Sequence, residues 1–245
     1  MKRIKHWLFD LDDTLYPAAT GLFGHVSRRI TRRIAQTLGV PEDEARVHQR
    51  ALWRKYGTSL RGLQVEHGID PEPFLADVHD VPVEEILAPD PELDALLARL
   101  PGQLHVFTNG PSEFVHRVLR RLGVDERFTH VFDIRHHGFV PKPDPQPFVR
   151  AMAALGDPAE TLMLVDDAPQ NLAQARALGW WTTWLRSPHS LAGGTSGLSV
   201  AESEEGHAPP HVVLDRLLDL EELVQEALAR SPAPGSPGPR ERPRS

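Results

Sequence analysis

A chain of 245 residues can bury a substantial core, as one large domain or two modest ones. Its 27 basic and 34 acidic residues leave a formal charge of -7, which gives no support to a nucleic-acid surface, and the lack of any cysteine excludes disulfides, thiolate catalysis and cysteine-ligated zinc. No apolar run approaches the roughly 20 residues of a membrane span, and acid follows the basic start MKRIKHWLFD too soon for a secretion signal, so a cytoplasmic protein without membrane contact is expected.

The first element is a short apolar run, residues 6–9, with the length and aromatic content of a buried strand. It ends in Asp10, Asp12 and Asp13. Uncompensated carboxylates are expensive to desolvate, so these three must meet water, a cation or donors at the strand's C-terminal end, where open α/β sheets place their ligands. Residues 19–88 then carry helical spacing and no convincing strand. Leu22, Phe23, Val26, Ile30, Ile34 and Leu38 recur at three and four, and Gly39 closes that helix. Further helices are predicted over 42–55, 60–67 and 71–78, with a break at Tyr56 to Gly62.

From Asp90 the pattern alternates. Helices are predicted over 91–100, 112–122, 147–155, 171–178 and 219–229, and strands over 104–107, 131–132, 161–165, 181–185 and 211–214. Gly123 and Gly179 supply two of the helix stops. Strands separated by helices imply an α/β fold with a mostly parallel sheet covered on both faces, the core comprising residues 1–16 and 89–230 around a helical unit at 17–88. Residues 187–210 are rich in Ser, Gly, Pro and Glu and are expected as a mobile surface insertion; 231–245, SPAPGSPGPRERPRS, reads as a disordered tail.

Four strand ends carry unusual chemistry: Asp10 with Asp12 and Asp13, Thr108 with Asn109, the loop of Lys142, and Asp166 with Asp167. In a parallel sheet these ends open on one edge and can converge. Carboxylates can hold a hard cation, Mg²⁺ being the first choice, while lysine, hydroxyl and amide can surround an oxyanion. Together they suit a phosphate monoester. Asp10 is the expected nucleophile, sharing the metal with Asp166, and Asp12 the general acid and then base. Lys142 is expected to neutralise charge shared by phosphate and nucleophile, with Thr108 and Asn109 donating to phosphoryl oxygens. His136 and His137 lack a third partner at metal spacing and are expected at the surface or rim; Trp180, Trp181 and Trp184 are expected to pack around a late strand.

In order and context, Asp10-Leu-Asp12-Asp-Thr14, strand-terminal Thr108, Lys142-Pro-Asp-Pro and Asp166-Asp167 resemble the four motifs of the haloacid-dehalogenase-like hydrolase superfamily, across residues 5 to about 230. That resemblance implies a Rossmann-like parallel-sheet core with a helical C1-type cap inserted after the first motif. It also implies that the backbone carbonyl of Asp12 joins Asp10 and Asp166 on the metal and that Asp167 supports the metal, its water or Lys142. The superfamily's dehalogenases lack the second aspartate, so Asp12 favours a phosphatase. FDLDDTLY, YGTSLRGL and LMLVDDAPQNLAQARALGW look like the pyrimidine 5'-nucleotidase-like subgroup. A small phosphorylated substrate, a nucleoside monophosphate first, is then the expected partner, with Tyr56 stacking on a base and Arg61 meeting a base carbonyl or phosphate. Other small monoesters (sugar phosphate, phosphoglycolate, flavin mononucleotide) keep the chemistry and change the substrate. A phospho-acceptor receiver or an idle interaction domain is disfavoured by the helical insert and by the intact acid and lysine set.

Overall fold

A computed structural model of the chain describes residues 4–186, 209–222 and 224. The first strand, β1 (His6–Phe9), is buried along its whole length, because it is flanked by strands on both sides and covered on both faces. Around it lie β2 (Gln103–Phe107), β3 (Phe128–Phe132), β4 (Leu162–Asp166), β5 (Trp181–Leu185) and β6 (Val212–Leu214), in the order β3-β2-β1-β4-β5-β6. Every pairing is parallel. From β1 the chain builds outward to β3 on one side, then returns to β4 and builds outward on the other. The strand order therefore reverses beside β1, and the crevice at that reversal opens at its carboxyl end.

Alternation along the strands decides the two faces. Trp7, Phe9, Val106, Met163 and Val165 join one apolar cluster with Leu93 and Leu97 of α6 (Pro91–Arg99) and Val115 and Leu119 of α7 (Ser112–Leu122). Leu8, Phe107, Phe132 and Leu164 join the other, with Phe148 and Ala151 of α8 (Pro145–Leu155) and Leu172 and Ala175 of α9 (Pro169–Ala177). Between β1 and α6 the chain is helical: α1 (Leu22–Leu38), α2 (Glu42–Tyr56), α3 (Ser59–His67), α4 (Pro71–Val78) and the short α5 (Val83–Ile86).

The parallel sheet and the helical insert match the sequence pattern, and the departures have local causes. The third strand is longer than predicted because it is an edge strand whose Thr129 and His130 are exposed, so its start carries no apolar signal. Helices α8 and α9 each begin two residues early, on Pro145 and Pro169. Proline suits the first helical turn, where its missing N–H has no intrahelical partner to lose. The insertion expected at 187–210, apart from residues 209 and 210, and the tail at 231–245 lie outside the described residues, as does the end of the helix expected over 219–229.

The expectation for the histidines is corrected. His137 is fully buried with its ring edge-on to Phe107, and His136 is half-buried. His105 is also fully buried, its Nε2 lying 3.1 Å from Nδ1 of His6, which reaches Asp157 through Nε2 at 2.9 Å. Burial pushes His105 down to about 3, helped by His6 and His130, and pushes His137 down to about 3, helped by Lys142. Both are neutral when folded, whereas the unfolded chain protonates them near pH 6.5. As pH falls from about 6.5 towards 3 the unfolded state binds more protons, so folding stability is lost at about 1.4 kcal/mol per pH unit per histidine. His105→Leu is expected to flatten this acid limb when urea unfolding is followed against pH; identical slopes in variant and wild type would contradict the assignment.

Candidate active site

Asp10 follows the last residue of β1, and its backbone N–H continues the sheet by donating to Val165 at 2.9 Å. Asp166 is the last residue of the neighbouring β4, so the two carboxylates stand side by side at the carboxyl edge. Lys142 enters between them from the loop before α8. Its Nζ donates to Asp10 Oδ1 at 2.8 Å, to Asp166 Oδ2 at 2.8 Å and to the Phe107 carbonyl at 2.6 Å, which uses all three ammonium protons. The lysine is 2 % exposed. Burial opposes its charge, but the Asp10 and Asp166 carboxylates outweigh that and hold its pKa above the ordinary lysine value.

The neighbours fix these groups. Asn171, in the first turn of α9, donates to both oxygens of Asp166 at 3.1 and 3.0 Å, and the Ala168 N–H donates to Asp166 Oδ1 at 2.8 Å. Asn109 holds the lysine's backbone: its Nδ2 donates to the Lys142 carbonyl at 3.2 Å, and its Oδ1 accepts from the Lys142 N–H at 2.8 Å. The side chain expected to donate to phosphate therefore also clamps the lysine loop, with one of its two Nδ2 protons engaged there. Thr108 is buried at the end of β2, where its Oγ1 accepts from the Gly110 N–H at 3.0 Å and retains its own proton to donate. Asp12 is half-buried, and the phenol of Tyr16 donates to its Oδ1.

The acids are crowded. Burial pushes Asp10 up to about 7, opposed by Lys142 and reinforced by Asp166 and Asp12. Burial likewise pushes Asp12 up to about 7, with the Tyr16 hydrogen bond opposing and Asp13 adding to it. Oxygens of Asp10, Asp166 and Asp167 all lie within 4.8 Å of one another, and all three residues are buried. One ammonium does not balance that many carboxylates. An oxygen-only donor set of this charge fits a hard divalent cation, which would favour the ionised acids. Asp167 thus stands among the groups able to touch an ion, and its backbone carbonyl accepts from Trp184 Nε1 at 3.1 Å.

The helical insert reaches this edge through the turn between α2 and α3. Gly57 there has φ +81°, and a methyl group on it would stand 3.3 Å from the Lys142 carbonyl and 3.3 Å from Pro141 Cγ, so the close approach needs glycine. Tyr56 beside it is committed inside the insert: its hydroxyl donates to Glu66 at 2.8 Å and its ring lies against Gly62. Arg61, half-buried in the first turn of α3, has no ion-pair partner among the described residues.

Residues 4–179 match the family model of haloacid dehalogenase-like hydrolases. The chain belongs to that family. The hydrolase is 29 % identical over 239 residues to N-acetylmuramic acid 6-phosphate phosphatase of Pseudomonas aeruginosa, covering 92 % of this chain and 97 % of the relative. It is 26 % identical to phosphate metabolism protein 8 of Saccharomyces cerevisiae over 71 % of this chain, and the match spans 59 % of that protein's length. Its fold is similar to that of L-2-haloacid dehalogenase from Xanthobacter autotrophicus, with TM-score 0.58, 18 % identity, and coverage of 91 % of this chain and 98 % of the other.

Tyr16 and Asn171 are the site residues that sequence reasoning undervalued. Tyr16 follows Asp12 by four positions in a turn where Leu15 N–H bonds back to Leu11, a spacing that returns the ring to the carboxylate. Asn171 reads as a helix cap, but its amide faces the preceding strand end. In this hydrolase Lys142 is the counter-charge bonded to both Asp10 and Asp166. Lys142→Met leaves two buried carboxylates without their counter-charge and is expected to lower unfolding free energy by about 3–5 kcal/mol, measured by urea titration in chelator. An unmoved midpoint would contradict the geometry.

Proposed function

We propose that this family member, a phosphomonoesterase by its family and its phosphatase relatives, hydrolyses its substrate through an aspartyl-phosphate on Asp10 with Mg²⁺ at the adjoining carboxylates. The single observation that carries this reading is the Lys142 ammonium, bonded to Asp10 and Asp166 at adjacent strand ends with Asp12 two residues away. A buried ammonium fixes the rotamer of Asp10 and reduces its repulsion of an incoming phosphate dianion.

An Asp10 oxygen attacks phosphorus while the bond from phosphorus to the leaving oxygen breaks, and Asp12 gives that oxygen its proton. Asp12 then takes a proton from water as the water oxygen attacks the aspartyl-phosphate, releasing phosphate and restoring Asp10. Tyr16 keeps the Asp12 carboxylate aimed during both transfers. Thr108 donates its hydroxyl proton to a phosphoryl oxygen, while Asn109 acts through Lys142 by holding its loop. Asp10, Asp166 and Asp167, with the backbone carbonyl of Asp12, would hold Mg²⁺, which when bound would supply positive charge to offset that of the carboxylates and the phosphoryl group. The insert serves as a cap that excludes bulk water from the phosphoenzyme.

For substrate we propose a pyrimidine nucleoside 5'-monophosphate, processed in the cytoplasm, with Arg61 meeting a base carbonyl. The likeness of FDLDDTLY, YGTSLRGL and LMLVDDAPQNLAQARALGW to that subgroup supports it, and Arg61, without an ion-pair partner among the described residues, is available for the contact. Tyr56 contributes by packing. A sugar phosphate is the second reading, favoured by the near full-length relative from Pseudomonas aeruginosa. Phosphate release from a panel of nucleotides, hexose phosphates, phosphoglycolate and flavin mononucleotide separates the two. Turnover is expected to vanish in chelator and return with Mg²⁺. Asp10→Asn is expected to give no detectable turnover with the fold intact, and activity in that variant would sink the covalent route. Asp12→Asn is expected to be about 10²–10⁴-fold slower and to accumulate phosphoenzyme under acid quench; unchanged burst and steady-state rates would remove it from the mechanism.

A further inference from the structure

The insert touches the sheet edge at a second place, through α4. Arg135, in the loop after β3, donates Nε and Nη2 to the two oxygens of Glu72 at 2.8 and 2.7 Å, and Nη1 to Glu113 of α7 at 2.8 Å. This fork ties the first turn of α4 to the core. The far end of α4 brings His79 against α7, its ring centroid 4.9 Å from that of Phe114. His79 Nδ1 lies 2.9 Å from the Leu75 carbonyl oxygen, an atom that can only accept, so the ring proton sits on Nδ1. Burial pushes His79 down to about 4, against the raising effect of that carbonyl, and the ring is neutral at neutral pH. Nε2 therefore carries a lone pair, and it has no hydrogen-bond partner among the described residues.

The position of Nε2 is informative. A methyl group placed on Gly110 would stand 3.7 Å from His79 Nε2 and 3.5 Å from Thr108 Oγ1. An acceptor from the insert and the proposed phosphate donor thus both lie close to one point beside Gly110. A phosphate on Thr108 would have His79, at the far end of α4, as a neighbour from the insert. Neither Tyr56 nor Arg61 supplies an acceptor there.

We propose that His79 Nε2 is a specificity-determining acceptor that takes a hydrogen bond from a hydroxyl on the leaving group close to the phosphate. The substrate class is then a hydroxyl-bearing monoester, such as the phosphate of a sugar, a polyol or a nucleoside, and a monoester with a carboxylate in that place is disfavoured. A carboxylate would meet the imidazole lone pair and find no proton, since the ring's only N–H is turned to Leu75. The inference rests on the phosphatase reading and on phosphate occupying Thr108.

The test uses the full chain with Mg²⁺ and three probes: p-nitrophenyl phosphate, whose leaving group has no hydroxyl donor, and the pair glycerol 3-phosphate and n-propyl phosphate, which share a carbon skeleton. Wild type is expected to favour glycerol 3-phosphate by about 5- to 150-fold in kcat/KM, the range of one satisfied against one unsatisfied hydrogen bond. His79→Leu is expected to bring that ratio close to one, chiefly through KM, while turnover of p-nitrophenyl phosphate stays within about twofold. His79→Gln, which returns an acceptor near the Nε2 position, is expected to recover most of the preference; a merely structural role would not give that recovery. The inference is overturned if His79→Leu keeps the wild-type ratio, or if wild type hydrolyses p-nitrophenyl phosphate without preferring glycerol 3-phosphate. Failure of wild type to release phosphate from any of the three overturns the phosphatase reading itself, and this inference with it.

Discussion

The structure depends on one buried ammonium held between two carboxylates. Desolvating Asp10, Asp166 and Lys142 separately would be prohibitive, and together they are tolerable because every ammonium proton has an acceptor and Asp166 has three further donated contacts. The arrangement requires three distant pieces of chain to arrive in register. Parallel pairing of β1 with β4 supplies two of them, and the loop before α8 supplies the third. Much of what surrounds the site serves that arrival. Asn109 clamps the lysine's backbone from the end of β2, and Asn171 braces Asp166 from the start of α9.

Two environments are kept distinct within a few ångströms. Asp10 is bound into the lysine network, whereas Asp12, two residues on, is held by Tyr16. In the proposed mechanism the two have opposite requirements: Asp10, as nucleophile, must be ionised and fixed, and Asp12, as acid and base, must gain and lose a proton. Placing one beside a permanent cation and the other beside a phenol separates the requirements without separating the residues in sequence. Asp167 is drawn to the same edge, and the carboxylate excess that results is what a divalent ion would balance.

The helical insert meets the sheet edge twice, by different physics. At Gly57 the approach is backbone against backbone, possible because no side chain intervenes. At α4 the contact is an arginine fork on Glu72, with His79 beyond it. One contact is made to the lysine loop and the other to the loop after β3. On the proposed reading, a substrate at Thr108 would be enclosed partly by groups of the insert, and the same surfaces would set selectivity and exclude water.

The parallel α/β architecture and the strand-end acids were legible in the sequence because both are local patterns. An apolar run of strand length ending in carboxylates can terminate only where those charges find partners, and Leu22 to Leu38 can bury one face only as a helix. Local pattern also led astray where burial comes from elsewhere in the chain. His137 reads as a polar loop residue, yet it lies beneath Phe107; Asn109 reads only as an oxyanion donor, yet it also clamps the Lys142 backbone; Tyr56 reads only as a stacking ring, yet its hydroxyl is bonded to Glu66. By itself the sequence determined which residue types stand at the ends of the strands. Only the tertiary structure decided which way each side chain turns and which partner it meets, because those choices are made by contacts across more than a hundred residues of chain, such as Lys142 to Asp10, that no local spacing encodes.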